Sequence, residues 1–213
     1  MIRVPRHIEV LSPYKPGKPI EEVQRELGGT YVGKLASNEN PLGPSPLAIQ
    51  RMTEHAHDLH YYPNGGLTLR EALAHRHQLK TENVICGNGS ESVLQLALRT
   101  FLDDGDLLLS CDGTFVGFLV LSQASGRELR LVPQTAGYRF DVEALAAAIT
   151  PRTKIIYIAN ANNPTGTHIS REEFEWFMQR VPEDVLVIFD EAYFEYSIAI
   201  DPETYPDSLQ YRF

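Results

Sequence analysis

Cysteine is scarce in this sequence, which contains only Cys86 and Cys111 and no CxxC spacing. A disulfide scaffold or a cysteine metal site is therefore not expected, and we interpret both residues as small buried side chains in a reducing compartment. No run approaches the roughly 20 apolar residues of a membrane span. Residues 1–10 also lack the apolar core of a signal peptide. These absences predict a cytoplasmic protein without a membrane partner.

Positive charge is in deficit, because 19 Lys and Arg residues stand against 28 Asp and Glu residues, a formal net charge of −9. Nucleic-acid binding needs clustered Lys and Arg to neutralise phosphates, so nucleic acid is not expected as a partner. A small anionic ligand stays compatible, since a local nest of backbone donors is enough to bind it. His55, His57 and His60 lie in a polar run without cysteine, and we predict no metal site there.

The N-terminal third of the chain is rich in Pro and Gly. Residues 1–33 are predicted to form an N-terminal arm with a short helix near Glu21–Leu27. Residues 34–66 are predicted to be irregular, because the run NENPLGPSP at 38–46 carries prolines that the interior of a helix or a central strand excludes.

From residue 67 onward, predicted helices and strands alternate. Strands are predicted at 84–86, 107–111, 128–132, 154–160 and 184–190, and helices at 68–79, 91–102, 115–124, 141–149 and 170–180. Thr68 with Glu71 and Ser170 with Glu173 have capping-box spacing, and Asp141 is a candidate N-cap. The helix at 91–102 is apolar almost all round, which predicts burial on every side. Strands without polar alternation, separated by helices, indicate an α/β fold: a mainly parallel sheet with helices on both faces.

Polar motifs stand at three predicted strand ends, where open α/β sheets bind ligands. The run GNGSES at 87–92 suits an anion, although by itself it is better interpreted as a turn with Ser90 as the N-cap. Asn163 is a neutral donor suited to a phenolate oxygen, or part of a plain turn. Asp190 needs a partner, which could be an Arg, a helix N-terminus or a protonated ring nitrogen, and Tyr193 could add a phenol. Together these groups match the three polar groups of pyridoxal phosphate (PLP): its phosphate, its phenolate oxygen and its ring nitrogen.

The order and spacing of five stretches resemble the fold-type I PLP-dependent aminotransferases of class I and II, and among them most closely the histidinol-phosphate branch. The stretches are KLASNENPLGPSP at 34–46, YPNGG at 62–66, GNGSE at 87–91, NPTG at 163–166 and DEAY at 190–193. The resemblance implies the three-layer large domain of that fold in truncated form, with an arm at 1–33 and a partial PLP-binding domain at 34–213. It also implies transfer of an amino group between histidinol phosphate, or a related amino acid, and 2-oxoglutarate.

Residue roles follow from the resemblance alone. Ser90 and the backbone amide of Glu91 would hold the cofactor phosphate, although the family commonly has Asp or Asn at the latter position. Phe115 would stack on the ring, in a segment that lacks the proline often found there. Asn163 and Tyr193 would bind the ring hydroxyl oxygen.

Four further roles are implied in the same way. Asp190 would pair with the pyridinium nitrogen. Tyr62 would reach the phosphate of a neighbouring subunit, which implies a homodimer with shared active sites. Asn38 and Glu39 would line the substrate side.

The lysine that holds the cofactor covalently is the largest departure from the family. The family has it in a Ser-Lys context one strand after the DEAY motif, and the sequence reaches Phe213 without such a motif. The five lysines present match none of the family's positions: Lys15, Lys18, Lys34, Lys80 and Lys154. The Schiff-base lysine is therefore expected beyond Phe213, and the 213-residue chain alone is expected to be inactive. The family's C-terminal substrate-binding arginine and small domain are also unmatched.

Two alternatives stay open at this point. Another fold-type I enzyme, such as a phosphothreonine decarboxylase or a C–S lyase, shares the same motifs. A non-catalytic remnant, which keeps the cofactor cradle for binding or dimerisation, agrees with the unmatched lysine.

Overall fold

The computed structural model describes residues 2–12, 17–28 and 31–211. Lys15, Phe213 and parts of the predicted arm at 13–16 and 29–30 lie outside the described residues. The chain divides into two compact units: a sheet unit of Met1–Leu11 with Thr68–Phe213, and a second unit of Ser12–Leu67. The predicted boundary after residue 33 stays a prediction.

The sheet unit is built on four parallel strands in the order β2-β1-β3-β4. They are β1 (Leu107–Cys111), β2 (Glu128–Val132), β3 (Thr153–Ala159) and β4 (Leu186–Asp190). Leu108 pairs with Leu129 on one side and Ile155 on the other, and Tyr157 pairs with Ile188. Every residue of β1 is buried and so is almost all of β3, as their continuous apolar runs predict.

Helices connect and flank the strands. They are α1 (Arg6–Glu9), α2 (Ile20–Leu27), α3 (Pro46–Glu54), α4 (Leu67–Arg76), α5 (Ser90–Phe101), α6 (Val116–Ser125), α7 (Val142–Ala147), α8 (Arg171–Met178) and α9 (Phe194–Ile200). Single 3-10 turns lie at Ala56–Asp58, Thr81–Asn83 and Ser208–Gln210.

The connections explain where the helical layers lie. The β1-α6-β2 crossover runs toward one edge of the sheet, whereas β2-α7-β3 and β3-α8-β4 run toward the other. Because such crossovers are right-handed, α6 lies on one face of the sheet and α7 and α8 lie on the opposite face. The contacts agree, since α5 packs against α6 and α7 packs against α8. The predicted α/β class, with a parallel sheet between helices, is confirmed.

The helix caps predicted at Asp141 and Ser170 are confirmed. The Asp141 carboxylate accepts a hydrogen bond from the Ala144 N–H at 2.8 Å. Ser170 and Glu173 form the reciprocal capping box. The box predicted at Thr68 is wrong, because α4 already begins at Leu67.

Three other predictions need correction. Val84 is extended (φ −118°, ψ 125°), but residues 84–86 form no strand with the part of the chain that is described, because extended backbone counts as a strand only when a neighbour pairs with it. Pro46 begins α3 inside the segment predicted to be irregular, since proline is well suited to the first position of a helix. In α5, Leu94 is buried but Leu96 and Phe101 are 49% and 48% exposed, because only one face of the helix packs.

No helix within residues 2–12, 17–28 and 31–211 combines the length and apolar character needed to cross a membrane. Across those same ranges, no three His, Cys, Asp or Glu side chains are grouped so that they could hold a metal ion. Both cysteines are free thiols. Cys111 is buried as predicted, which raises its pKa to about 12, whereas Cys86 is only partly buried, so the prediction is wrong for Cys86.

Candidate active site

A cavity opens at the carboxyl ends of the central strands. Chain connections leave β1 and β3 in opposite directions, and this switch point is where α/β sheets hold ligands. The cavity measures about 180 Å³ and is lined by Ser90, Phe115, Tyr157, Ala159, Ala161, Asn163, Asp190, Ala192 and Tyr193. Three larger hollows of about 450, 430 and 400 Å³ lie elsewhere on the sheet unit and include none of these strand-end groups.

The N-terminus of α5 forms one wall of the cavity. Gly89 precedes the helix at φ 79°, ψ 169°, a backbone conformation that essentially only glycine adopts, and no side chain caps the helix. The interpretation of Ser90 as the N-cap is therefore wrong, because Ser90 is the first helical residue. The turn is tight as well, since a Cβ at Gly87 would lie 2.4 Å from the Ser92 hydroxyl. Uncapped N–H groups and the helix dipole favour an anion at this position.

Phe115 follows β1 and packs its ring over Gly117. A Cβ at Gly117 would lie 2.5 Å from a ring carbon of Phe115 and 2.8 Å from a carboxylate oxygen of Glu91. The second position of α6 therefore needs glycine if the ring is to stay at the cavity. Glu91 is not among the lining residues; its carboxylate lies beside α6 instead.

The loop after β3 is fastened to the loop after β1 by Asn162, whose importance the sequence did not reveal. The Asn162 amide donates to the Gly113 carbonyl at 3.1 Å and to the Thr165 hydroxyl at 2.9 Å, and it accepts from Thr114 at 3.2 Å. Its neighbour Asn163 lines the cavity and forms no side-chain hydrogen bond with any residue that the structure describes. The Asn163 amide is thus available to a ligand.

Asn160 directly follows β3 and fixes the start of the same loop. It is 1% exposed, its side-chain oxygen accepts from the Ile169 N–H at 2.8 Å, and its carbonyl accepts from the Tyr205 hydroxyl. The Asn160–Ala161 and Asn163–Pro164 peptide bonds are both cis.

Asp190 ends β4 with its carboxylate at the cavity. One carboxylate oxygen accepts from the Tyr157 hydroxyl at 2.7 Å, and the other accepts from the Ala192 N–H at 3.1 Å. The partner of this carboxylate is therefore a tyrosine, an option that the sequence had not raised. Tyr157 is fully buried and stacks on Phe118 at 4.0 Å, with 8° between the ring planes. Burial, and then the charge of Asp190, raise the pKa of the Tyr157 phenol far above its usual range, so Tyr157 remains a donor.

Tyr193 and Glu191 follow Asp190 and lie in different environments. Tyr193 lines the cavity and immediately precedes α9. Glu191 accepts hydrogen bonds from the backbone N–H and the hydroxyl of Ser208. Burial raises the pKa of Glu191 to about 7.

Three predicted site residues belong to the second unit. Tyr62 is fully exposed. Asn38 has φ 50° and follows Ser37 at φ 70°, so two successive residues adopt a conformation that side chains rarely take. Glu39 forms an ion pair with Lys34. Their predicted roles stay predictions.

Comparison with known proteins places the chain in a family. A family model, aminotransferase class I and II, matches residues 31–204. The chain belongs to this family. It is 47% identical over 202 residues to a histidinol-phosphate aminotransferase of Moorella thermoacetica, covering 94% of this chain and 51% of the relative. It is 43% identical over 210 residues to one from an Anaeromyxobacter species, covering 98% and 57%.

Solved structures of the family share the fold. Histidinol-phosphate aminotransferase from Sinorhizobium meliloti, in complex with pyridoxal-5'-phosphate, superposes with a TM-score of 0.80 at 27% identity, covering 92% of this chain and 52% of that one. An aspartate aminotransferase double mutant from Thermus thermophilus superposes with a TM-score of 0.73 at 25% identity, covering 91% and 54%. The predicted family resemblance is confirmed, and the chain spans about half the length of the curated relatives it matches.

The donors and acceptors of the cavity fit the family's cofactor. An uncapped helix start suits a phosphate, the Asp190 carboxylate suits a protonated ring nitrogen, and Asn163 suits a phenolate oxygen. Phe115 offers an aromatic face, and the remaining walls include three alanines that leave room for a flat ring.

No lysine or arginine is among the residues that line the cavity. Lys80 is exposed, and Lys154 donates to the Asp184 carbonyl at 2.9 Å, before β4 and at the end of the strand away from the cavity. Lys18 and Lys34 belong to the second unit. The described part of the sheet unit thus supplies acceptors and neutral donors at the cavity but no amine nucleophile.

Proposed function

We propose that the chain is the cofactor-binding portion of a PLP-dependent aminotransferase. The observation that carries the proposal is the Asp190 carboxylate, held in place by Tyr157 and the Ala192 N–H, at the same cavity as Asn163 and the start of α5. When bound, pyridoxal phosphate supplies a protonated conjugated ring that stabilises negative charge on the substrate carbon. The chain's residues bind and orient this ring and keep its nitrogen paired with a carboxylate.

The proposed roles follow the walls of the cavity. Ser90 and the N–H of Glu91 bind the phosphate at the helix start, and Phe115 covers one face of the ring. Asn163 and Tyr193 donate to the ring oxygen.

The proposed reaction moves an amino group between histidinol phosphate, or a related amino acid, and 2-oxoglutarate. The relatives named as histidinol-phosphate aminotransferases support this substrate class. Asn38 and Glu39 are proposed to line the substrate side, and Tyr62 to reach the phosphate of a second subunit in a homodimer with shared sites. The full exposure of Tyr62 suits such a contact. We place the protein in the cytoplasm, in line with its few cysteines.

An absorbance titration of the 213-residue chain with PLP, followed by borohydride reduction and mass spectrometry, tests the proposal. We expect saturable binding without a reduced lysine adduct, because no lysine lines the cavity. Asp190→Asn should weaken binding about 10-fold or more, since it removes a charge-assisted hydrogen bond. The matched control Asp184→Asn, an exposed aspartate before β4, should bind like the parent. Absence of binding contradicts the proposal, and a stoichiometric adduct on one of the five lysines means that the site is misplaced.

A second candidate is a binding or dimerisation module that keeps the cofactor-binding cavity but does not catalyse a reaction. The absence of a lysine among the cavity-lining residues favours it. Coding sequence beyond the Phe213 codon separates the two candidates: an open frame with a Ser-Lys motif within a few tens of codons supports the enzyme, and a stop codon supports the module.

A further inference from the structure

We infer that Tyr157 is a positioning residue that fixes the Asp190 carboxylate toward the ring nitrogen of the cofactor. This inference rests on the proposed function, and it adds a residue that the sequence motifs do not include.

The tyrosine is held more firmly than the carboxylate it contacts. Tyr157 has no exposed surface and stacks nearly parallel on Phe118, with ring centroids 4.0 Å apart. Asp190 is only partly buried and lies at the cavity. A locked ring leaves its hydroxyl at one position, so the 2.7 Å hydrogen bond restricts the rotation of the carboxylate.

The strand register explains how the two side chains meet. Ala159 pairs with Asp190, and Tyr157, two residues earlier on the same face of β3, pairs with Ile188. The alanine methyl leaves space beside Asp190, and the long tyrosine reaches diagonally along the ladder to fill it. A larger residue at position 159 would occupy the path between hydroxyl and carboxylate.

The remaining capacity of the carboxylate fits a third donor. Its two oxygens accept one hydrogen bond each, from Tyr157 and from the Ala192 N–H. A carboxylate has about four acceptor positions, so about two remain, and one of them can accept a ring N–H on the cavity side. Since burial keeps the Tyr157 phenol protonated, its hydroxyl donates whether or not a ligand is bound.

A double-mutant cycle on the ligand-free chain tests the interaction itself. Tyr157→Phe, Asp190→Ala and the double variant are unfolded in urea, and the unfolding constants are compared. We expect the unfolding constant of the double variant to differ at least about 5-fold from the value that independent single effects would give. The reason is that each single variant already loses the same hydrogen bond to a charged group. Additive effects would overturn the inference without reference to any cofactor.

Titration with two ligands then tests the positioning. The probes are PLP and its analogue in which a C–H replaces the ring nitrogen. We expect Tyr157→Phe to reduce the preference for PLP about 10-fold while leaving the affinity for the analogue nearly unchanged. Equal losses for both ligands would show a merely structural role and overturn the inference.

Tyr205→Phe is the matched control, because it removes another fully buried tyrosine hydroxyl, one that donates to the Asn160 carbonyl. This variant should keep the preference of the parent chain. A parent chain that does not distinguish the two ligands contradicts the role of Asp190 in the proposed function. A preference that survives in Tyr157→Phe contradicts only the role of Tyr157.

Discussion

Two adjacent carboxylates at the end of β4 occupy different environments. Asp190 lies at the cavity and accepts from Tyr157, whereas Glu191 accepts from Ser208 in the segment that follows α9. Burial raises the pKa of Glu191 to about 7, from an ordinary value of 4.5. The folded state therefore holds a proton that the unfolded state releases between these two pH values.

This linkage gives a pH-dependent stability with a defined sign. The contribution of neutral Glu191 is fully present below about pH 4.5 and is lost as the pH rises through about 7. Glu191→Gln removes this dependence. From pH 5 to pH 8, the free energy of unfolding of the parent chain should therefore fall by about 1–3 kcal/mol more than that of the variant. Urea midpoints at the two pH values measure the difference. Glu195→Gln, an exposed control on α9, should follow the parent, and parallel pH profiles for all three chains would refute the prediction.

At the scale of single residues, Asn163 and Asp190 were predictable from the sequence, whereas Tyr157 inside β3 and Asn162 in the loop after it were not. Asn163 and Asp190 stand next to the apolar runs, so their polarity marks them. Tyr157 lies within the run KIIYIAN, where an aromatic residue is typical of a core. The available signal was its hydroxyl, because a buried tyrosine needs an acceptor and the neighbouring strand end supplies one.

The turn before α5 determines whether the N-terminus of this helix can bind an anion. Gly89, at φ 79° and ψ 169°, directs the chain into the helix. Alanine at position 89 would be strained by about 1–3 kcal/mol if it kept the backbone angles of Gly89. The turn in Gly89→Ala should therefore rearrange. We expect affinity for PLP to fall about 10-fold or more while affinity for pyridoxal, which lacks the phosphate, changes little. Parallel absorbance titrations of the two ligands measure this.

Gly137→Ala is the control for that prediction. Its added Cβ would meet only the Thr135 hydroxyl at 3.9 Å, and its backbone does not need glycine. It should leave both affinities unchanged. An equal loss of both ligands in Gly89→Ala would mean that the turn shapes the whole cavity rather than the phosphate site.

Helices and strands were predictable where the interactions that form them involve residues close in the sequence. The strands at 107–111 and 128–132 are found at their predicted bounds, and Asp141 and Ser170 begin helices, because apolar runs and caps act within a few residues. The strand predicted at 84–86 failed because pairing depends on distant segments. At α4, the Leu67 N–H bonds to the Asn64 side chain, so the helix begins before Thr68.

At the scale of the whole molecule, alternating helices and strands were enough to predict a parallel sheet between helical layers. The strand order was not predictable, since neighbours in the sheet are set by crossovers rather than by sequence order. That order brings the ends of β1, β3 and β4 together, and it made a single cavity from motifs that are separated along the chain.

The same order leaves β4, like β2 at the other edge, paired on one side only among the described residues, with β3 as its neighbour. Its apolar side chains, Leu186 to Phe189, are half-buried, and an unpaired edge of this kind favours strand addition between molecules. We expect the 213-residue chain to form concentration-dependent assemblies larger than a dimer, measured by size-exclusion chromatography with light scattering. Val187→Lys should suppress them by placing a charge at the β4 edge, while Leu96→Lys, at an exposed position on α5 away from both edge strands, should not. Since neither change touches Tyr62, a dimer of the proposed kind would persist, and a monomer with a cooperative, concentration-independent unfolding transition would contradict the prediction.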